Sequence, residues 1–262
     1  MIRRGAATWP MLALAAAALS GCGGVIPQVA PAAKPAPPAA AAPAPAPMLV
    51  LPTFSTQEAA ALRAPAPEAP AQRGFAQFVR YARNIAIAAK GGGAPLSAML
   101  TDPVALDGRR RTCAPGAQPV ALIDLDPAGG LFAPPANPAQ LPGLALGLAV
   151  LREAGVAIAW RSDLPVEETG PLRTALERAG LDPRGQDIVS LRRDADDRKQ
   201  ARLDSLAATA CIVAIAADER SDFDERFRYL RTPEAAAGLE PLFGDGWFMV
   251  EPVFLKEGQQ TQ

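Results

Sequence analysis

Six polar residues stand where short apolar runs end, or on the helical stretch that leads into one. Asp124 and Asp126 close the run Val120-Ala121-Leu122-Ile123 as Asp124-Leu125-Asp126. Ser162 follows Val156-Ala157-Ile158-Ala159-Trp160. Asp218 and Asp222 follow Cys211–Ala216, in Ala217-Asp218-Glu219-Arg220-Ser221-Asp222-Phe223, and Lys199 precedes that run. The chain contains no histidine. That excludes Ser-His-Asp and Cys-His nucleophilic sites, phosphohistidine chemistry and zinc sites of the usual His-bearing kinds. Chemistry must therefore run on carboxylates, Lys, Ser/Thr or Cys. No one of the six residues says much alone, since a D-x-D is common and a single helical Lys is usually solvated. Their order and placement give them weight.

The elements that must position them can be read from periodicity. Residues 120–123, 156–160, 187–191 and 211–216 are four short strand candidates. Helical spacing covers about 142–154, 165–179 and 195–209, a further helix starts near Ser221, and Trp247-Phe248-Met249-Val250 is a last apolar piece. Strands alternating with helices predict a Rossmann-like parallel α/β sheet with helices on both faces. Right-handed crossovers put the strands' carboxyl ends on one edge, where ligands usually bind. Upstream, Gly74–Lys90 has one-sided helical spacing, ended by Gly91-Gly92-Gly93. A loop-like stretch follows to about Gln118, and Arg109, Arg110 and Arg111 within it are expected to be solvated.

The N-terminus reads as an export signal. Arg3 and Arg4 precede an apolar stretch from Ala6 to Leu19, shorter than the ~20 residues that span a bilayer. Leu19-Ser20-Gly21-Cys22 is similar to a lipobox, with small residues before a cysteine to be lipidated. Residues 1–21 are expected to be removed. The membrane partner is then a lipid on Cys22, and resemblance to Gram-negative lipoproteins, with Gly rather than Asp at residue 23, implies sorting to the outer membrane, facing the periplasm. Loss of Arg3 and Arg4 takes the formal net charge from −1 to −3, too acidic to suggest nucleic acid as a partner. Twelve of the 28 prolines lie between Pro27 and Pro70. Proline and alanine offer little to pack, so 22–73 is expected to be a disordered, extended tether of polyproline-II type.

On the six residues quoted above, residues 113–254 resemble the haloacid-dehalogenase superfamily, and more narrowly its exported lipoprotein acid phosphatases of the class B/C type. The family's D-x-D-x-T falls on Asp124, Leu125, Asp126, Pro127 and Ala128. Its second-strand Ser/Thr falls on Ser162-Asp163, its Lys on Lys199, and its G-D-x-x-x-D-F on Ala217-Asp218 through Asp222-Phe223. The resemblance implies a Mg²⁺-dependent phosphomonoesterase acting on a small phosphomonoester. Asp124 would be the nucleophile of an aspartyl-phosphate route and Asp126 the general acid and base. Ser162 and Lys199 would hold phosphoryl oxygens. Asp124, Asp126, Asp218 and Asp222 would hold Mg²⁺, a hard ion that takes oxygen ligands. The chain departs from the pattern at Ala128, where the family has Thr, and at Pro127, which stiffens the loop. Only about fifteen residues separate Asp126 from the next helix, too few for the family's substrate-contacting insert. A catalytically degenerate lipoprotein with a binding or structural role in the cell envelope is therefore the alternative.

Cys113 and Cys211 remain beside the lipidated cysteine, in a chain bound for an oxidising compartment. In the superfamily's sheet order the first and fourth strands are parallel neighbours. That order implies that Cys113, just before the first, and Cys211, opening the fourth, can pair at the edge opposite the site. The organisation expected is a signal peptide (1–21), lipidated linker (22–73), N-terminal helix and loop (74–112), α/β domain (113–254) and tail (255–262). Cys22→Ser should abolish incorporation of labelled palmitate. Equal labelling of wild type and variant would overturn the lipobox assignment.

Overall fold

The computed structural model describes residues 70–254. Cys22, the lipobox, the remainder of the tether and the tail 255–262 lie outside the described residues. Helix α1 (Pro70–Lys90) is followed by a two-stranded antiparallel ribbon, β1 (Leu96–Leu100) and β2 (Arg110–Thr112). Then come β3 (Pro119–Asp124), α2 (Leu144–Glu153), β4 (Ala157–Pro165), α3 (Thr169–Arg178), β5 (Ile188–Arg192), α4 (Lys199–Thr209), β6 (Cys211–Ala217) and β7 (Trp247–Met249). The last five strands form one parallel sheet in the order β5-β4-β3-β6-β7. No described helix is long and apolar enough to cross a membrane.

The sheet is buried on both faces, which is why β3 and β6 read as unbroken apolar runs rather than alternating ones. Ala121 and Ile123 of β3 pack on one side with α1, α2 and α3, through Phe78, Leu148, Leu172 and Leu176. Val120 and Leu122 pack on the other with the ribbon and α4, through Ala98, Leu100 and Leu203. Helix α1 lies in the first layer. Phe75, Phe78, Ala82 and Ala86 are its buried stripe, at the spacing of one helical face. Phe78 and Tyr81 meet Phe248 of β7 at ring-centroid distances of 5.9 and 5.3 Å. Gly147 lets α2 approach α1 closely, since a Cβ there would stand 2.9 Å from Val79 Cγ2.

The structure corrects four readings of the sequence. Helix α1 begins at Pro70, inside the expected tether, rather than at Gly74, since proline is tolerated in the first turn of a helix. The stretch before Gln118 is not all loop, because Leu96-Ser97-Ala98-Met99-Leu100 forms β1. That run lacks the β-branched residues that advertise a strand. Of its three arginines only Arg109 is largely solvated. Arg110, with 8% of its side chain exposed, donates to Tyr81 Oη at 2.7 Å and to both carboxylate oxygens of Asp245 at 3.1 Å. Arg111 Nε donates to the Leu100 carbonyl at 2.8 Å. The helix expected from Ser221 is instead three short 3-10 segments, Arg220–Asp222, Glu225–Arg228 and Pro233–Leu242. The Asp224 side chain accepts from the Arg226 N–H and starts a new turn. Pro241 inside the last segment removes a donor that an α-helix needs.

Strands β3 and β6 are neighbours, and Cys113 is bonded to Cys211 with Cα atoms 5.7 Å apart. The bond closes a 98-residue separation at the strands' entry edge. The chain-entropy argument gives it at most about 4–5 kcal/mol. Cys211 is buried and Cys113 only half-buried, so Cys113→Ala is the milder variant. It should lower the urea midpoint, as should reductant on the wild type. A midpoint unmoved by both would mean that the bond contributes nothing to stability.

Candidate active site

Strand β3 delivers Asp124 to the carboxyl edge of the sheet, in parallel register with Arg161 of β4. Alternation along the strands puts Asp124 on the side of Val120 and Leu122, and Arg161 on the side of Ala159. The two side chains are therefore neighbours by register. Arg161 Nε donates to Asp124 Oδ2 at 2.7 Å, with 1% and 0% of the two side chains exposed. Arg161 Nη2 donates to the backbone carbonyl of Asp222, fastening the end of β3 and β4 to the turn that follows β6.

Lys199, the first residue of α4, reaches into the same place. Its Nζ lies 2.9 Å from Asp124 Oδ1, 2.9 Å from Asp126 Oδ2 and 2.9 Å from Asp222 Oδ1. Three carboxylates therefore face two cations, an excess of one negative charge. Asp126 is held from four directions. Its Oδ1 accepts from Ser162 Oγ at 2.6 Å and from the Phe132 N–H at 3.0 Å, and its Oδ2 accepts from the Asp163 N–H at 2.7 Å and faces Lys199. The Asp126 N–H in turn donates to Asp124 Oδ1 at 3.0 Å. Arg202, one turn beyond Lys199, donates to the Ser162 carbonyl at 3.2 Å and to Asp163 Oδ1 at 2.6 Å. It thereby locks α4 to the end of β4.

The structure thus brings together Asp124, Asp126, Ser162, Lys199 and Asp222. Asp218 is near but serves another purpose. Its Oδ2 accepts from the Ala128 N–H at 2.9 Å, and Glu219 Oε2 accepts from the Gly129 N–H at 3.1 Å. Together they pin the loop after β3, a turn closed by Gly130 N–H to Pro127 O, in which Gly129 has a φ of 67°. This backbone clamp holds the loop at the position where the resemblance wants Thr and the chain has Ala128.

Burial and charge set the protonation states. Burial pushes Asp126 up, but Lys199, Ser162 and the Phe132 N–H outweigh it and hold its carboxyl below the usual range. Burial and the charge of Asp124 push Asp222 up to about 6 in spite of Lys199. Burial also raises Asp218, against the Ala128 N–H. For Lys199 burial favours the neutral amine, but the charges of Asp124 and Asp222 prevail and keep it protonated. Carboxyls with pKa values pushed apart in one place are the pattern of acid–base sites.

The residues implied for Mg²⁺ do not fit that ion as they stand. Among the described residues, no three Asp, Glu, His or Cys side chains are grouped to hold a metal. The physical reason is that cations of the protein already sit between them, Arg161 on Asp124 Oδ2 and Lys199 on Asp124 Oδ1 and Asp222. Asp218 Oδ1 is buried with no partner, which a metal could satisfy, but one orphan oxygen is not a ligand set. Sequence reading missed Arg161 and Arg202. Arg161 carried a signal: it is a charge that directly follows the apolar run ending at Trp160 and directly precedes Ser162. Arg202 looks like any solvated helical arginine.

The carboxylate cluster lies at the carboxyl edge of a doubly covered parallel sheet. No protein-family model matches the chain, and no curated protein matches it. Among solved structures it is similar to the class C acid phosphatase from Bacillus anthracis, at 18% identity over 69% of this chain and 77% of that one, with a TM-score of 0.48. It is similar also to that phosphatase with tungstate bound, at 17% identity over 70% and 79%, with a TM-score of 0.44. At these values the function has to be read from the residues.

Removing the shared cation tests the cluster. Lys199→Met leaves Asp124, Asp126 and Asp222 without their common partner and should cost about 3–5 kcal/mol in urea unfolding at neutral pH. Adding Asp124→Asn to that variant should recover part of the loss. A Lys199→Met protein as stable as wild type would show that the three carboxylates do not depend on the ammonium.

Proposed function

We propose that the chain is a membrane-anchored phosphomonoester hydrolase of the haloacid-dehalogenase type, held in the cell envelope by a lipid on Cys22. The observation that carries this reading is the convergence of Asp124, Asp126, Ser162, Lys199 and Asp222 from four separate segments to hydrogen-bonding or ion-pairing distance. A buried cluster of this kind is a poor stabiliser compared with apolar packing. Its presence at the ligand-binding edge of the sheet favours chemistry over architecture.

In this reading an oxygen of Asp124 attacks phosphorus and the bond to the leaving alkoxide breaks. Asp126 gives that alkoxide a proton. Water, losing a proton to Asp126, then attacks the aspartyl phosphate, releasing inorganic phosphate and restoring Asp124. Lys199 turns from Asp222 to the phosphoryl oxygens, and Ser162 supplies a hydroxyl. Asp126 rests ionised; the phosphomonoester arrives as its monoanion and its proton passes to Asp126, whose pKa the phosphoryl charge raises.

A second reading, a catalytically degenerate domain with a binding or structural role in the envelope, is favoured by one observation. The N–H groups of Lys199 and the hydroxyl of Ser162 all face the protein's own carboxylates, and the Asp124 side chain is fully buried. Hydrolysis of a chromogenic phosphomonoester separates the two. The wild type should turn over, Asp124→Asn should not, and Asp126→Asn should be slower by ~10²–10⁴-fold. Full activity in Asp124→Asn would rule out the aspartyl-phosphate route. A folded wild type that hydrolyses none of several phosphomonoesters would establish the second reading.

A further inference from the structure

We infer that the buried guanidinium of Arg161 stands in the place of a divalent metal ion, so that the carboxylate cluster is complete without one. The inference concerns the cluster itself and holds whether or not the site is catalytic.

A metal at such an edge has three tasks: to neutralise carboxylate charge, to tie the end of β3 to the segment after β6, and to fix the orientation of Asp124. Arg161 performs all three. Its charge is permanent, since arginine is not deprotonated in proteins. It binds Asp124 Oδ2 at 2.7 Å and the carbonyl of Asp222, one contact on each of the two segments. The planar fork allows both at once and holds the carboxylate in a fixed orientation. Arg161 is also placed without strain. It is a residue of a central strand, in register with Asp124, so the contact follows from the pairing of β3 with β4. A hard divalent ion would need several oxygens and room for water. With 1% of Arg161 and none of Asp124 exposed, it would first have to displace the guanidinium.

The test is metal binding, read on the soluble domain with its lipid anchor replaced by Cys22→Ser. Mn²⁺ is titrated by electron paramagnetic resonance, with Mg²⁺ as competitor. The wild type should bind no Mn²⁺ that Asp124→Asn or Asp222→Asn abolishes, and its melting temperature should be the same in EDTA and in Mg²⁺. Binding that persists in both variants lies elsewhere on the surface and leaves the inference standing. Arg161→Met, which keeps most of the volume and removes the charge, should gain Mn²⁺ binding in the range of weak oxygen sites, ~0.1–1 mM. Its melting temperature should rise with Mg²⁺. Wild-type Mn²⁺ binding lost in Asp124→Asn would overturn the inference, and so would a folded Arg161→Met that binds no Mn²⁺. Should Arg161→Met not fold in EDTA, recovery of the fold by Mg²⁺ supports the inference, and failure to recover in Mg²⁺ or Mn²⁺ overturns it. None of these readouts uses turnover, so loss of the phosphatase reading leaves them intact.

Discussion

Lys199 meets Asp124, Asp126 and Asp222 at one point, and the course of the chain on that side of the sheet follows from satisfying that meeting. An ammonium needs up to three acceptors when it is out of water, and here they come from two parts of the sequence. Asp124 ends β3 and Asp126 follows it, Asp222 lies after β6, and the lysine opens α4. Bringing like charges together costs free energy that only nearby cations offset. Arg161 supplies the second cation from β4, so four elements are bound to one electrostatic centre. Truncating either cation leaves a buried charge uncompensated, and this makes the arrangement cooperative rather than a sum of pairs.

The covalent and apolar parts of the fold fix where that centre forms. The Cys113–Cys211 bond ties the entry to β6 to the segment before β3, and the two strands then run parallel, with a register irregularity between Val120 and Ala121, to the far edge, where Asp124 emerges. Trp160, fully buried, donates from Nε1 to Asp187 at 2.9 Å, and Arg152 of α2 binds the same carboxylate. This second polar knot holds β4 against the start of β5. Arg161 follows Trp160 directly, so the strand that presents the guanidinium is anchored one residue before it does so. Precision at a site depends on such support from rigid elements.

Much of this was legible in the sequence. The runs at 120–123, 156–160, 187–191 and 211–216 became β3 to β6 with ends shifted by a few residues, because unbroken apolar runs flanked by helical spacing are what a doubly covered parallel sheet requires. Parallel strands end at one edge, which is why Asp124, Asp126, Ser162 and Asp222, read from the sequence at or just past strand ends, lie together there with Lys199, which opens α4. Contacts that depend on register were not legible. Whether Arg161 faces Asp124 turns on the pairing of two strands separated by a helix, and a shift of one residue would send it to the other face. The ribbon β1–β2 was missed for a different reason. Its stability comes from burial against β6 and from Trp247 Nε1, which donates to the Ala98 carbonyl at 2.8 Å, rather than from local propensity.

In the proposed reading the same interactions set the terms on which a phosphate would enter. A phosphomonoester arriving at Asp124 would meet an excess negative charge and donors that are already engaged. Binding is therefore an exchange: each phosphoryl oxygen that takes an N–H of Lys199 releases a carboxylate. Asp222 is the member that can leave most easily, since burial and the charge of Asp124 already push its pKa up to about 6 and protonation would relieve the repulsion that the phosphate adds. Asp124 is held by Arg161 and Asp126 by three hydrogen bonds, so neither gains from leaving. The pinning of the 127–130 loop by Asp218 and Glu219 works in the same direction. It fixes the loop through the backbone N–H groups of Ala128 and Gly129. The clamp and the guanidinium thus hold the 127–130 loop and Asp124 with groups already present in the strands and loops on either side.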